Sequence, residues 1–161
     1  MISFKKHSGI YSLKTEQVLN IPLNEAWDFF SSPENLQKIT PSNMGFKITS
    51  EVNKKAYAGQ IVTYRIGILP GLKSNWVTEI TQVKNQEFFI DEQRFGPYTM
   101  WHHEHWFAEL PNGKTIMNDK ISYKLSLGIL GGLAHGIFIK KQLKSIFSHR
   151  YTTLENMFNG R

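Results

Sequence analysis

The sequence predicts an α+β fold in which an antiparallel sheet of seven strands is covered by one long C-terminal helix, with two short helices between the first and second strands. Period-two alternation runs through residues 46–125, broken only by short, turn-rich connections, as consecutive antiparallel strands require. Over 134–159 the apolar residues recur at helical spacing instead. A sheet of that size has one large face to bury, and only the terminal helix is long enough to cover it.

Residues 11–21 alternate loosely and read as the first strand, closed by Ile21-Pro22-Leu23-Asn24. A short amphipathic helix follows over 25–30. Ser32-Pro33-Glu34-Asn35 opens a second helix, with serine as N-cap and proline in the first helical position. Pro41 stops it near Thr40. The remaining strands are expected at 46–52, 60–66, 73–83, 88–94, 100–110 and 114–125. Their punctuation is Gly59, Leu69-Pro70-Gly71, Asn85-Gln86, Gly96-Pro97 and Pro111-Asn112-Gly113.

The 161 residues suit a single domain, 1–161, with one core. At 40% hydrophobic and 20% charged, the chain is neither a disordered tail nor a membrane bundle. No segment approaches the roughly 20 apolar residues of a spanning helix. Met1–His7 has no apolar run behind its lysines, so no signal peptide is expected and the expected location is cytoplasmic. The absence of cysteine excludes disulfide scaffolds, thiol catalysis and cysteine-based metal sites. A formal charge of +6 invites a nucleic-acid reading. The basic residues are scattered, however, and no recognition motif accompanies them, so no nucleic-acid partner is expected.

Charges on inward faces are the informative feature. Phasing the last helix at about 100° per residue gathers Ile139, Leu143, Ile146, Phe147, Leu154, Met157 and Phe158 on one side. Arg150 falls among them, so its guanidinium either snorkels to solvent or is paired inside. On the last strand Asp119 shares the face of Met117, Ile121, Tyr123 and Leu125. Pro111-Asn112-Gly113 suits a three-residue hairpin loop with glycine in the left-handed position. That loop sets Phe107 opposite Met117, His105 opposite Asp119, His103 opposite Ile121 and Trp101 opposite Tyr123. A two-residue Asn112-Gly113 loop would instead turn His102, Glu104 and Trp106 inward. The strand at 88–94 contributes either Asp91 with Gln93, or Ile90 with Glu92. The interior is therefore expected to hold His103, His105, Asp119, Arg150 and one further acid among aromatic rings.

Such a cluster admits several chemistries. His103 and His105, two apart on a strand, could ligate a metal with Asp119 as third donor. An arginine facing Asp119 leaves less negative charge for a cation, so no metal and no cofactor is expected. His105 oriented by Asp119 could move protons on a bound carbonyl compound, which makes these two the candidate catalytic pair. The cluster could also orient the oxygenated end of an apolar ligand, or merely neutralise itself and fix the sheet register. The apolar, glycine-rich stretches 67–72 and 129–133 could gate a pocket, touch a membrane or fold onto the core. Lys140, Lys141 and Lys144 offer a transient contact with an acidic membrane surface.

The order of elements resembles the helix-grip fold of the START-like (SRPBCC) superfamily, in which a curved antiparallel sheet wraps around a long C-terminal helix. The resemblance covers about Tyr11 to Phe158. It is supported by Phe30-Ser31-Ser32-Pro33-Glu34-Asn35-Leu36, Ile39-Thr40-Pro41, Trp76-Val77-Thr78-Glu79-Ile80, Asp91-Glu92-Gln93-Arg94-Phe95-Gly96-Pro97-Tyr98 and Trp101-His102-His103-Glu104-His105. Within that superfamily, which includes polyketide cyclase/dehydratase-type proteins, these segments look like an uncharacterised bacterial ligand-binding branch. The resemblance implies a hydrophobic cavity lined by Trp76, Trp101, Phe107, Tyr123, Phe147 and neighbours. It further implies binding or transport of a hydrophobic or amphipathic small molecule, with a cofactor-free cyclase or dehydratase using His105 and Asp119 as the alternative.

Overall fold

The computed structural model of the chain describes residues 2–51, 55–69, 72–125 and 132–160. Among these, eight strands form one antiparallel sheet in the order β1-β2-β8-β7-β6-β5-β4-β3. They are β1 (Ile2–His7), β2 (Ile10–Leu19), β3 (Lys47–Ile48), β4 (Gln60–Leu69), β5 (Leu72–Lys84), β6 (Phe88–Phe95), β7 (Tyr98–Glu109) and β8 (Thr115–Leu125). The connection from β2 to β3 carries α1 (Leu23–Phe30) and 3₁₀ turns at Pro33–Ile39 and Ser42–Met44. After β8 comes α2 (Gly132–Leu154), which ends in a π turn at Glu155–Asn159.

The expected seven strands are eight. The extra one, β1, forms a hairpin with β2 through Ser8 and Gly9, whose φ values of 50° and 79° are both left-handed. That is the type I′ geometry whose twist matches the flanking strands. Apart from half-buried Ile2 and Phe4, β1 is exposed, and its lysines suit a sheet edge. The strand expected at 46–52 shrinks to the two residues of β3, and Val52 lies outside the described residues. The second helix is 3₁₀ rather than α. Ser32 holds its N-cap position and Pro33 follows, but the Ser32 hydroxyl makes no capping bond. Of the stretches 67–72 and 129–133, residues 70–71 and 129–131 fall outside the described residues.

The β7–β8 hairpin follows the three-residue loop. Gly113 N–H donates to Leu110 O at 2.9 Å, and Leu110 N–H donates to Lys114 O at 2.8 Å. Gly113 sits at φ 74°, a conformation that costs a side-chain-bearing residue about 1–2 kcal/mol. The register that results pairs Trp101 with Tyr123, His103 with Ile121, His105 with Asp119 and Phe107 with Met117. Alternate residues of β8 from Thr115 to Tyr123 are buried, Asp119 included. Register shifts interrupt the β4–β5, β5–β6 and β7–β8 ladders, and irregularities of this kind bend a sheet and increase its twist.

On α2 the side facing the sheet is the one the sequence phases inward. Ile139, Leu143, Phe147, Arg150 and Leu154 are buried, whereas Lys140, Lys141, Lys144, Ser148 and Thr152 are exposed. Two apolar clusters divide the interior. One gathers α1 and the C-terminal end of α2 around Trp27, Phe89, Phe107, Met117 and Leu154. The other joins Leu13, Trp76, Ile121, Tyr123, Leu143 and Phe147. Gln17 anchors the chain end by donating to Tyr151 O (3.0 Å) and Glu155 Oε1 (2.8 Å).

Candidate functional site

Between the two clusters, β6, β7 and β8 present two carboxylates and two imidazoles to one another. Asp91 is paired with His103 in the β6–β7 register, and His105 with Asp119 across β7–β8. Spacing of two along β7 turns both imidazoles to one face, and their ring centroids are 3.7 Å apart. His105 Nε2 donates to Asp91 Oδ2 at 2.8 Å, and His103 Nε2 donates to Asp119 Oδ1 at 3.1 Å. The remaining ring nitrogens make looser ion-pair contacts. His103 Nδ1 lies 3.6 Å from Asp91 Oδ2. His105 Nδ1 is 2.8 Å from Asp119 Oδ1 but too far off line to form a hydrogen bond. From α2, Arg150 brings Nη2 to 3.4 Å from Asp119 Oδ2, and Thr15 Oγ1 donates weakly to the same oxygen at 3.4 Å. The guanidinium lies over the rings of Phe30 and Phe147, 5.6 and 5.8 Å from their centroids. Of the two fates open to Arg150, pairing inside is the one adopted.

These contacts order the protons. Burial alone would raise the Asp119 carboxyl, but the Arg150 guanidinium and the two imidazoles outweigh it and hold Asp119 well below the usual carboxylate range. Burial likewise opposes ionisation of Asp91, and the imidazoles again prevail, leaving it lowered. The histidines part company. Burial and the neighbouring His105 lower His103. Burial also lowers His105, yet its two carboxylates reverse the sign and raise it. His105 is thus the more readily charged of the two imidazoles, and when it carries an added proton two anions face two cations.

Acid should therefore unfold this protein through Asp119. A carboxyl lowered in the folded state stabilises the fold above its unfolded value near 3.9, and that stability is lost as pH falls toward the folded value. Urea unfolding should show stability dropping steeply below about pH 4–5. In Asp119→Asn the drop should be shallower. An equal acid slope in both proteins would assign the effect to other groups.

A cavity of about 200 Å³ opens beside the cluster, between the bent sheet, the 3₁₀ segment and α2. It is larger than the roughly 150 Å³ apolar cavity that admits benzene. Tyr64 stacks on Trp76 (5.8 Å), and Trp101 meets Trp76 edge-on (5.2 Å), so one wall is aromatic. Ile39, Leu143 and Phe147 supply apolar surface opposite, and Leu36, which is exposed, marks the mouth. Four buried polar atoms of lining residues have no hydrogen-bond partner among the described residues: Trp76 Nε1, Arg150 Nε, Ser31 Oγ and His105 Nδ1.

Six of the nine residues assigned to ligand binding line this cavity: Trp76, Trp101, His103, His105, Phe147 and Arg150. Phe107, Asp119 and Tyr123 do not. Phe107 belongs to the cluster beneath α1, edge-on to Trp27 at 5.7 Å. Tyr123 stacks on Tyr11 at 5.5 Å. Asp119, 1% exposed, stands behind the two histidines. Asp91 is the further acid, which resolves the β6 parity in favour of the Asp91 register. Tyr64, Ser31 and the 3₁₀ residues at the mouth are lining positions the sequence does not mark as functional. For Ser31 and the 3₁₀ residues the only signal is the length of the β2–β3 connection, which must run from the second strand of the sheet to its far edge; Tyr64, on β4, carries none.

No family model matches the chain, and no curated protein sequence matches it. Solved structures do match, at the level of the fold. A Rhodobacter sphaeroides protein is similar with a TM-score of 0.68 at 13% identity, covering 98% of this chain and 97% of its own. A START superfamily protein from Mycobacterium smegmatis matches at 0.65 and 12% identity over 92% and 97% of the two chains. Ara h 8.0201 matches at 0.58 and 12% identity over 92% and 99%. The chain thus has the START-like helix-grip fold. No helix among the described residues is long and apolar enough to cross a membrane.

Proposed function

We propose that the protein binds a hydrophobic or amphipathic small molecule in the cavity between sheet and α2, with the ligand's oxygenated end at the polar cluster. One observation carries this reading. The cavity is walled by aromatic and aliphatic side chains, yet two buried N–H donors on its lining, Trp76 Nε1 and Arg150 Nε, have no acceptor among the described residues. A buried donor without an acceptor costs about 1–3 kcal/mol, which a ligand carbonyl or carboxylate oxygen would recover. Apolar walls with a few placed polar groups are the usual form of a small-molecule site.

Native mass spectrometry of the purified protein, before and after denaturation, tests this reading directly. A retained compound bearing an apolar body and an oxygen acceptor is the expected result. Its affinity should fall by about 1–3 kcal/mol in Trp76→Phe, which keeps the ring and removes the donor. Equal affinity in that variant, with the fold intact, would remove Trp76 from recognition. A second reading rests on His105, whose raised pKa and contacts with Asp91 and Asp119 suit a proton donor to a bound carbonyl compound. Under it, the retained compound would be converted by the protein and left unchanged by His105→Gln.

A further inference from the structure

We infer that Asp91, His103 and His105 form a site for one divalent first-row transition-metal ion at the inner end of the cavity, with Asp119 orienting both imidazoles from behind. The inference goes beyond ligand carriage and does not depend on the identity of any ligand.

The donor atoms are already gathered. One carboxylate oxygen of Asp91 and one nitrogen of each histidine all lie within 4.8 Å of one another. Asp91 Oδ2 is 2.8 Å from His105 Nε2 and 3.6 Å from His103 Nδ1. Donors about 2.0–2.1 Å from a common tetrahedral ion sit about 3.3 Å apart, between those two separations. Small ring movements would therefore place all three on one ion.

The far side of the cluster is equally suited. An imidazole that ligates a metal usually gives its other N–H to a carboxylate, which fixes tautomer and ring orientation. Here one oxygen, Asp119 Oδ1, serves both rings, 3.1 Å from His103 Nε2 and 2.8 Å from His105 Nδ1. The buried Nδ1 of His105 is unpartnered as it stands. In the neutral ring, placing the proton on Nδ1 rather than Nε2 would aim an N–H at Asp119 and release Nε2 as a donor.

Charge and access agree with this assignment. Arg150 stands against Asp119, which disqualifies the carboxylate that sequence spacing offers as the third ligand. Asp91 has no lysine or arginine partner among the described residues, and its ion-pair contacts are with the two imidazoles alone. With both rings neutral, as ligation of a metal requires, two carboxylates and one guanidinium leave a single negative charge. A divalent ion converts this to a single positive charge, which suits an anionic oxygen as the next ligand. Asp91, His103 and His105 line the cavity and Asp119 does not. Any further coordination position therefore faces the space a small molecule would enter, the three-ligand form of a reactive rather than a structural ion.

Chelator-stripped full-length protein should be titrated with Co²⁺ alone, followed by visible absorption, and with Zn²⁺ by calorimetry. One ion per chain is expected, with Zn²⁺ displacing Co²⁺. Asp91→Asn should weaken binding roughly ten-fold or more, and Asp119→Asn roughly 10–100-fold. His102→Ala and His149→Ala, outside the cluster, should bind as the parent does. Absence of stoichiometric Co²⁺ binding, or undiminished binding by folded Asp91→Asn, would overturn the assignment. Should Asp91→Asn unfold, ¹H–¹⁵N spectra of the parent histidines decide instead. Zn²⁺ must shift the ring nitrogens of His103 and His105 and spare those of His102 and His149, and the opposite pattern would refute the site.

Discussion

Arg150→Met should lower the free energy of unfolding by about 3–5 kcal/mol. The substitution keeps an apolar stem over Phe30 and Phe147 and removes the guanidinium. Asp119, 1% exposed, then loses its only permanent cationic partner among the described residues. The histidines compensate poorly, because burial opposes charging either ring and each charged ring opposes charging the other. Urea unfolding near pH 7 measures the loss. Arg150→Met combined with Asp119→Asn should recover much of it, since a neutral side chain no longer needs the cation. A loss below about 1 kcal/mol in the single variant would mean that solvent, not Asp119, satisfies the guanidinium.

Trp27→Ala should cost about 3–5 kcal/mol, the range for deleting a buried aromatic side chain. Trp27 is 3% exposed and meets Phe89 and Phe107 edge-on, at 6.1 and 5.7 Å. Phe89 in turn stacks on the His105 ring at 4.1 Å. The variant should therefore loosen His105 as well as destabilise the fold, which its ring resonances would report as broadening. Trp106→Ala is the control. That ring is 41% exposed and lies beyond both interior clusters, so thermal unfolding should show a loss of less than about 1 kcal/mol. Equal losses in the two variants would contradict the placement of Trp27 as a buttress.

Most of this arrangement is legible in the sequence because two local rules act over long range. Turn chemistry at Pro111-Asn112-Gly113 fixes the β7–β8 register, and the register alone places His105 against Asp119. Helical phasing alone places Arg150 on the inner side of α2. What escapes has equally local causes. Lys5-Lys6-His7 masks the alternation of Ile2 and Phe4, and Ser8-Gly9 is a weaker hairpin signal than Asn-Gly, so β1 goes unseen. Parity tells which face a residue takes, not where along that face the cavity begins. Phe107, Asp119 and Tyr123 are all inward, as expected, but protein surrounds them on every side. The β6 parity stays open until Asp91 is paired with His103, because Asp91 and Glu92 offer the same charge to opposite faces.

The strand order has a consequence for how the molecule is made. β2 is zipped to β8, so Leu13 meets Ile121 and Thr15 meets Asp119 across more than a hundred intervening positions. During synthesis the amino-terminal hairpin must wait for most of the polypeptide to leave the ribosome before its inner edge is satisfied. Asp119 emerges earlier than Arg150 and stays wet until the final helix arrives to neutralise it. Assembly is therefore late and slow by design of topology, since closing so wide a loop precedes any reward from the contacts it brings.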